Sequence, residues 1–195
     1  MTAPLSYALR SPVVSIRPIL PGLILAVLTL LLGFGLGVVF GLNEDAIKDR
    51  LTASAASAPV SAYQGDEAKI KSVLDKSWVY MQRSHLHAGS LGAVAVALSL
   101  VLLLLGTPPV TARVISTSLG AGSLGYSGFW LWAGFRAPAL GSTGAAKESL
   151  SWLAIPSSGL VVAGTLGVLV LLALALWRPV AERRGVASPA LVPTT

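Results

Sequence analysis

No charged side chain interrupts the chain between Arg17 and Glu44, between Arg83 and Arg113, between Arg113 and Arg136, or between Glu148 and Arg178. A helix needs about 20 apolar residues to cross the hydrocarbon core of a bilayer, and each stretch is long enough to supply them. Backbone N–H and C=O groups in lipid must find partners within the protein, and a helix pairs them within one segment. The sequence therefore predicts an all-α integral membrane protein: one membrane domain over residues 1–195, with four transmembrane helices in a bundle. The spans fall at about Ile19 to Gly41, Ser84 to Leu105, Val114 to Phe135 and Ser151 to Trp177. Gly106, Pro108 and Pro109 form a tight turn between the second and third. The glycine- and serine-rich run from Thr117 to Gly128 leaves room for a break in the third.

Composition excludes most other classes. Only 11% of the 195 residues are charged and 54% are hydrophobic, whereas a soluble chain carries about a quarter charged. There is no cysteine, so disulfide scaffolds, iron–sulfur clusters, thiolate zinc sites and covalent c-type haem are excluded. No glycine-rich phosphate loop leads into a helix, and basic residues do not interleave with aromatics, so neither nucleotide nor nucleic acid is expected as a partner. Acids and histidines are too few for a Ser-His-Asp arrangement. Acids and bases inside spans mark proton relays and ion pathways; these spans contain none, which argues against a pump or a secondary transporter.

The first span resembles a signal peptide at its basic start, Arg10 and Arg17, and in the small-residue run Ala53 to Ala58. A signal sequence has an apolar core of about 7–15 residues that abuts its cleavage site. Here the apolar run is longer and Glu44 to Arg50 intervenes, so the span is expected to be retained. With four spans, Arg10, Arg17, Arg113, Arg178, Arg183 and Arg184 share a side, against Glu182. The other side carries Lys48, Arg50, Lys69, Lys71, Lys76, Arg83, Arg136 and Lys147. The raw count favours the second side, yet Lys69, Lys71 and Lys76 lie in a long connection among Asp66, Glu67 and Asp75. Basic residues beside the first span carry most weight. Both termini are thus expected in the cytoplasm, in a bacterial-type inner or plasma membrane. The net +6 charge is then accounted for by anionic lipid headgroups.

The outer loop, Leu42 to Arg83, is expected to be helical. Asn43 before Glu44 and Asp45 is a helix-start signature, with a short helix through Leu51. Thr52 to Ala62 reads as a linker. From Asp66, Ile70, Val73, Leu74, Ser77, Trp78 and Met81 recur at helical spacing, so the second span begins as an amphipathic extension near Asp66.

Within the spans small residues recur every four positions: Gly33, Gly37 and Gly41; Gly89, Ala93 and Ala97; Ser118 with Gly122; Ala121 with Gly125; Ala163 with Gly167. Such a glycine-zipper pattern lets helix backbones approach closely, within the bundle or against another subunit.

The candidate chemistry clusters at the outer end of the second span. His85 and His87 are the chain's two histidines. Residues two apart on a helix point about 200° from one another, so the rings do not readily share a metal. His85 lies on the face of Trp78 and Met81, toward the bundle; His87 lies with Lys76, Tyr80 and Arg83, on the wetter side. Met81 and His85 are one helical repeat apart and supply two ligands for copper, or His85 one axial ligand for haem b, with further ligands required from elsewhere. The plainer alternative has no cofactor and a His85 hydrogen bond between helices. Trp78, Tyr80, Trp130, Trp132 and Trp152 fall at the outer interface, with Trp177 at the inner one. With Arg83, His85 and Arg136 they are candidates to line an outer pocket for a quinone ring or a lipid headgroup, widened by a bend at Pro156. The expected function is a non-catalytic accessory or self-associating subunit of a membrane complex. The alternative is a haem-, copper- or quinone-contacting redox subunit built on His85, His87 and Met81.

Overall fold

The computed structural model describes residues 15–177. Six helices follow in order: α1 (Leu20–Ala56), α2 (Val60–Tyr63), α3 (Glu67–Leu104), α4 (Pro109–Leu140), α5 (Thr143–Glu148) and α6 (Ser151–Trp177), with no strand among the described residues. Local chemistry accounts for several boundaries. Proline occupies the first turn of α1 and of α4, where its missing N–H leaves no bond unmade. The Asp66 carboxylate accepts from the Lys69 N–H at 2.9 Å to cap α3, and the Ser142 hydroxyl accepts from Ala145 at 3.2 Å to cap α5. α4 ends at Gly141, whose φ of 59° is left-handed. A side chain there would also meet the backbone of Ala62.

Two expectations about the loop need revision. A helix does start after Asn43, whose φ of −134° and ψ of 27° interrupt α1 with a kink, but it runs past Leu51 to Ala56. Asn43 does not cap it; its side-chain amide donates to the Val39 carbonyl of the preceding turn. The Thr52 to Ala62 linker is likewise mostly structured, as the end of α1 followed by α2.

α4 is the hub. It touches α1, α3, α5 and α6; α1 also packs along α3, and α6 rests chiefly on α4. Three helices, α1, α3 and α6, are long and apolar enough to cross a membrane. α4 is not among them, although the third span was expected within it. The physical reason lies in its surroundings. Ser116, Gly120, Gly122, Ser123, Ser127, Ala133 and Gly134 of α4 are buried against neighbouring helices, so close fit rather than bulk apolarity suits them. α4 is also continuous through Thr117 to Gly128, with no break.

Backbones meet at glycines. A Cβ on Gly22 would collide with the Ser116 backbone, and one on Gly120 with the Gly22 carbonyl, so α1 and α4 meet backbone against backbone at these two glycines. A Cβ on Gly33 would lie 2.8 Å from the Gly89 nitrogen of α3, and one on Gly122 2.7 Å from the Ser157 carbonyl of α6. Gly125 abuts the Ser157 side chain, and a Cβ on Gly167 would lie 3.1 Å from Ile115. The four-residue repeat of α1 does not carry through, because Gly41 faces open space, as would a Cβ on Gly89 itself.

Buried hydroxyls return to helical carbonyls. Ser77, Ser99 and Ser127 donate to the carbonyl four residues back at 2.7–2.8 Å. Ser84 instead donates across to the Ser127 carbonyl at 2.8 Å, tying α3 to α4. Beyond the apolar stretches, Tyr63 of α2 is buried with Ala55, Val73, Ala137 and Ala146, and its hydroxyl donates to the Pro138 carbonyl at 2.7 Å.

Two outcomes are expected. Gly120→Leu should destabilise the fold by about 3 kcal/mol or more, since the obstruction is backbone, while Gly41→Leu should leave a detergent thermal melt unchanged. Burial raises the Tyr63 phenol above its ordinary 10.0. A folded pKa above the unfolded one means the docked phenol contributes fully below pH 10 and is lost as pH climbs through the raised value. A tyrosinate absorbance titration should show a late-ionising component that Tyr63→Phe removes.

Candidate functional site at the ends of α3 and α4

The two histidines face different helices. His85 fills a notch in α1: its Nδ1 lies 2.8 Å from the Gly33 carbonyl, and a Cβ on Gly37 would stand 2.8 Å from its Cε1. A carbonyl oxygen can accept but not donate, so Nδ1 carries the hydrogen. The Phe40 ring walls the notch, edge-on at 6.4 Å. Two members of the α1 glycine series thus have different tasks. Gly33 admits the α3 backbone, and Gly37 admits an imidazole.

Met81, one turn before His85, is fully buried. It packs with Phe40 and Leu51, and against Gly134 of α4. Its thioether belongs to an apolar contact among three helices. Among the described residues no three His, Cys, Asp or Glu side chains come together as a metal-ligand group. The copper and haem b expectations for His85, Met81 and His87 therefore gain no additional ligand from the fold.

His87 was expected on the wetter side, and this is corrected. Its ring stacks on Tyr126 of α4 at 5.2 Å and 11°, and meets Trp130 edge-on at 6.2 Å. The reason is that α4 covers the face of α3 that bears Tyr80 and His87, and Tyr80 is buried there with Phe129, Ala133 and Leu150. Tyr80 and Trp130 touch edge to face at 4.9 Å. The Arg83 guanidinium lies 5.0 Å from the Trp130 ring and 5.6 Å from Tyr80, while the Lys147 ammonium of α5 lies 5.8 Å from the same Tyr80 ring. The Trp130 indole nitrogen is buried without an acceptor among the described residues. A buried donor left in that state costs about 1–3 kcal/mol.

The expected outer pocket separates into distinct clusters. Trp78 sits on the α1 side, 5.2 Å from Phe40, with the Lys48 ammonium 5.4 Å from its ring. Lys48 is also bonded to Glu44, which raises its pKa above the usual lysine value. Arg83 and Trp130 belong to the Tyr80 cluster, whereas Trp132 and Trp152 pair with each other, edge-on at 6.1 Å, between α4 and α6. Arg136, near the end of α4, makes no ion pair among the described residues. Among the described residues Trp78, Arg83, Trp130, Trp132, Arg136 and Trp152 do not gather around one pocket, because they project from different faces of α3, α4 and α6.

Sequence reasoning missed Tyr126 as the partner of His87, and Phe129 and Lys147 as members of the cluster around Tyr80. The helical spacing of Tyr126 and Phe129 on α4 was visible; which side of α3 that helix would cover, and where α5 would place Lys147, was not. No protein-family profile, curated protein or solved structure matches the chain.

The His85 notch makes a coupling prediction. His85→Ala should cost about 1–3 kcal/mol, through a lost interhelical hydrogen bond and an unfilled space. Gly37→Ala should destabilise the native protein but cost less once the imidazole is gone. A double-mutant cycle should therefore give a coupling of about 0.5 kcal/mol or more, and simple additivity would refute contact between the two.

Proposed function

We propose that the chain is an integral membrane protein that crosses four times, with α4 as its central crossing, and that it works without catalysis by associating with other membrane subunits or with its own copies. The observation that carries this reading is where the polar atoms of the interior go. Buried serine hydroxyls on α3 and α4 are bonded to helix carbonyls, and the uncharged stretches bring no acid or base inside, so the interior serves packing. What the fold leaves available is its outer surface. α6 rests on α4 along one side and exposes Ile155, Val162, Leu169 and Leu176, one heptad apart, on another. Such a face suits lipid or a second helix. In this reading the membrane is a bacterial-type inner or plasma membrane, both termini are cytoplasmic, and the first turns of α3 stand outside the bilayer.

Two measurements test it. The chain has no cysteine, so single cysteines report topology cleanly. Val110→Cys at the start of α4 and Ser149→Cys after α5 should be labelled from opposite sides of the membrane; labelling from one side would show that α4 does not cross. In mild detergent the purified protein should have the mass of more than one chain or retain a membrane partner. A single chain with a Soret band or stoichiometric copper would replace this reading with the redox one.

A further inference from the structure

We propose that Arg83 and Lys147 form a binding site for the phosphate of an anionic lipid headgroup, with Tyr80 and Trp130 as its aromatic floor. The charge at this end of α3 is unmatched. Both cations approach the Tyr80 ring, at 5.6 and 5.8 Å, and Arg83 also approaches Trp130 at 5.0 Å. The ion pairs among the described residues are Lys48 with Glu44 and Lys71 with Asp75, so neither cation has a carboxylate, and Glu148, next to Lys147 in the chain, pairs with neither. Two like charges held within 6 Å of one ring centre repel each other, and an anion that reaches both relieves that repulsion. A guanidinium and an ammonium together supply the donors a phosphate accepts from. Nearby, the buried Trp130 N–H has no acceptor.

Position selects the source of the phosphate. Arg83 is the last charge before the uncharged run of α3, and Lys147 with Glu148 the last before that of α6. Both cations therefore stand where apolar helix begins, the level at which a bilayer presents its phosphates. Leu86 and Ile155, each within about two turns of the site, are exposed at 62% and 70% and offer apolar surface to acyl chains. The inference rests on the membrane reading above but not on the association it proposes.

The test is native mass spectrometry of the full chain in a neutral detergent, titrated with phosphatidylglycerol, phosphatidylcholine or inorganic phosphate. The protein should bind phosphatidylglycerol in preference to phosphatidylcholine. The pair Arg83→Gln with Lys147→Gln should weaken this roughly tenfold to thirtyfold. Arg83→Lys with Lys147→Arg should keep it, and Lys71→Gln, on an exposed charge elsewhere on α3, should not change it. Should the double variant fail to fold by circular dichroism, Lys147→Gln alone, on an exposed residue, gives the same comparison. Equal binding of the two lipids, or no loss in the glutamine variants, would overturn the proposal. Displacement of the lipid by millimolar phosphate would overturn its lipid part. A monomeric protein that still selects phosphatidylglycerol would disprove the association and leave this site standing.

Discussion

Backbone against backbone at Gly22 and Gly120 is the contact on which the arrangement depends. Lipid supplies no hydrophobic drive to press apolar helices together, so helices in it associate by dispersion over closely fitted surfaces and by hydrogen bonds. Removing a side chain from each partner brings two helices as near as their backbones allow and multiplies those contacts. Once α1 and α4 are set this way, α3 fits alongside both. Gly33 accepts the α3 backbone from one side, and Gly134 accepts Ser77 and Met81 from the other. α6 completes the packing through Gly122, Gly125 and Gly164.

Polar groups reinforce that fit without opening a route through it. Serines on the buried faces of α3 and α4 are short enough to sit at a close crossing, and they bond to carbonyls that already belong to a helix. His85 carries its imidazole into the contact between α1 and α3, and it enters where Gly37 has removed the obstacle. At the helix ends the balance changes. There the aromatic rings of α3 and α4 gather cations rather than hydroxyls, and the surface acquires charge that no carboxylate among the described residues pairs with.

Much of the architecture was legible in the sequence because charge is so unevenly placed. The gaps between Arg17 and Glu44, Arg83 and Arg113, and Glu148 and Arg178 contain the apolar parts of α1, α3 and α6, and Pro108 and Pro109 mark the turn before α4. What could not be read was which face of each helix meets which neighbour. Gly33, Gly37 and Gly41 are alike in sequence, yet one meets a backbone, one an imidazole and one open space. Gly22, Gly120 and Gly134, each tight against another helix, belong to none of the four-residue repeats read from the sequence. His87 looked solvated because Arg83 and Lys76 share its side of α3, and a helical wheel contains no information about the position of α4.

The modest apolarity of α4 bears on how the chain is made. A segment rich in glycine and serine gains little by entering lipid alone and much by entering a groove already lined by complementary helices. In a membrane, α1 and α3 emerge from the ribosome before α4, and they present such a groove through Gly22, Ala26 and Ser84. On the proposed four-span reading, chain order supplies α4 with most of its binding surface before it leaves the translocation channel, and α6 arrives last to cover the side that remains.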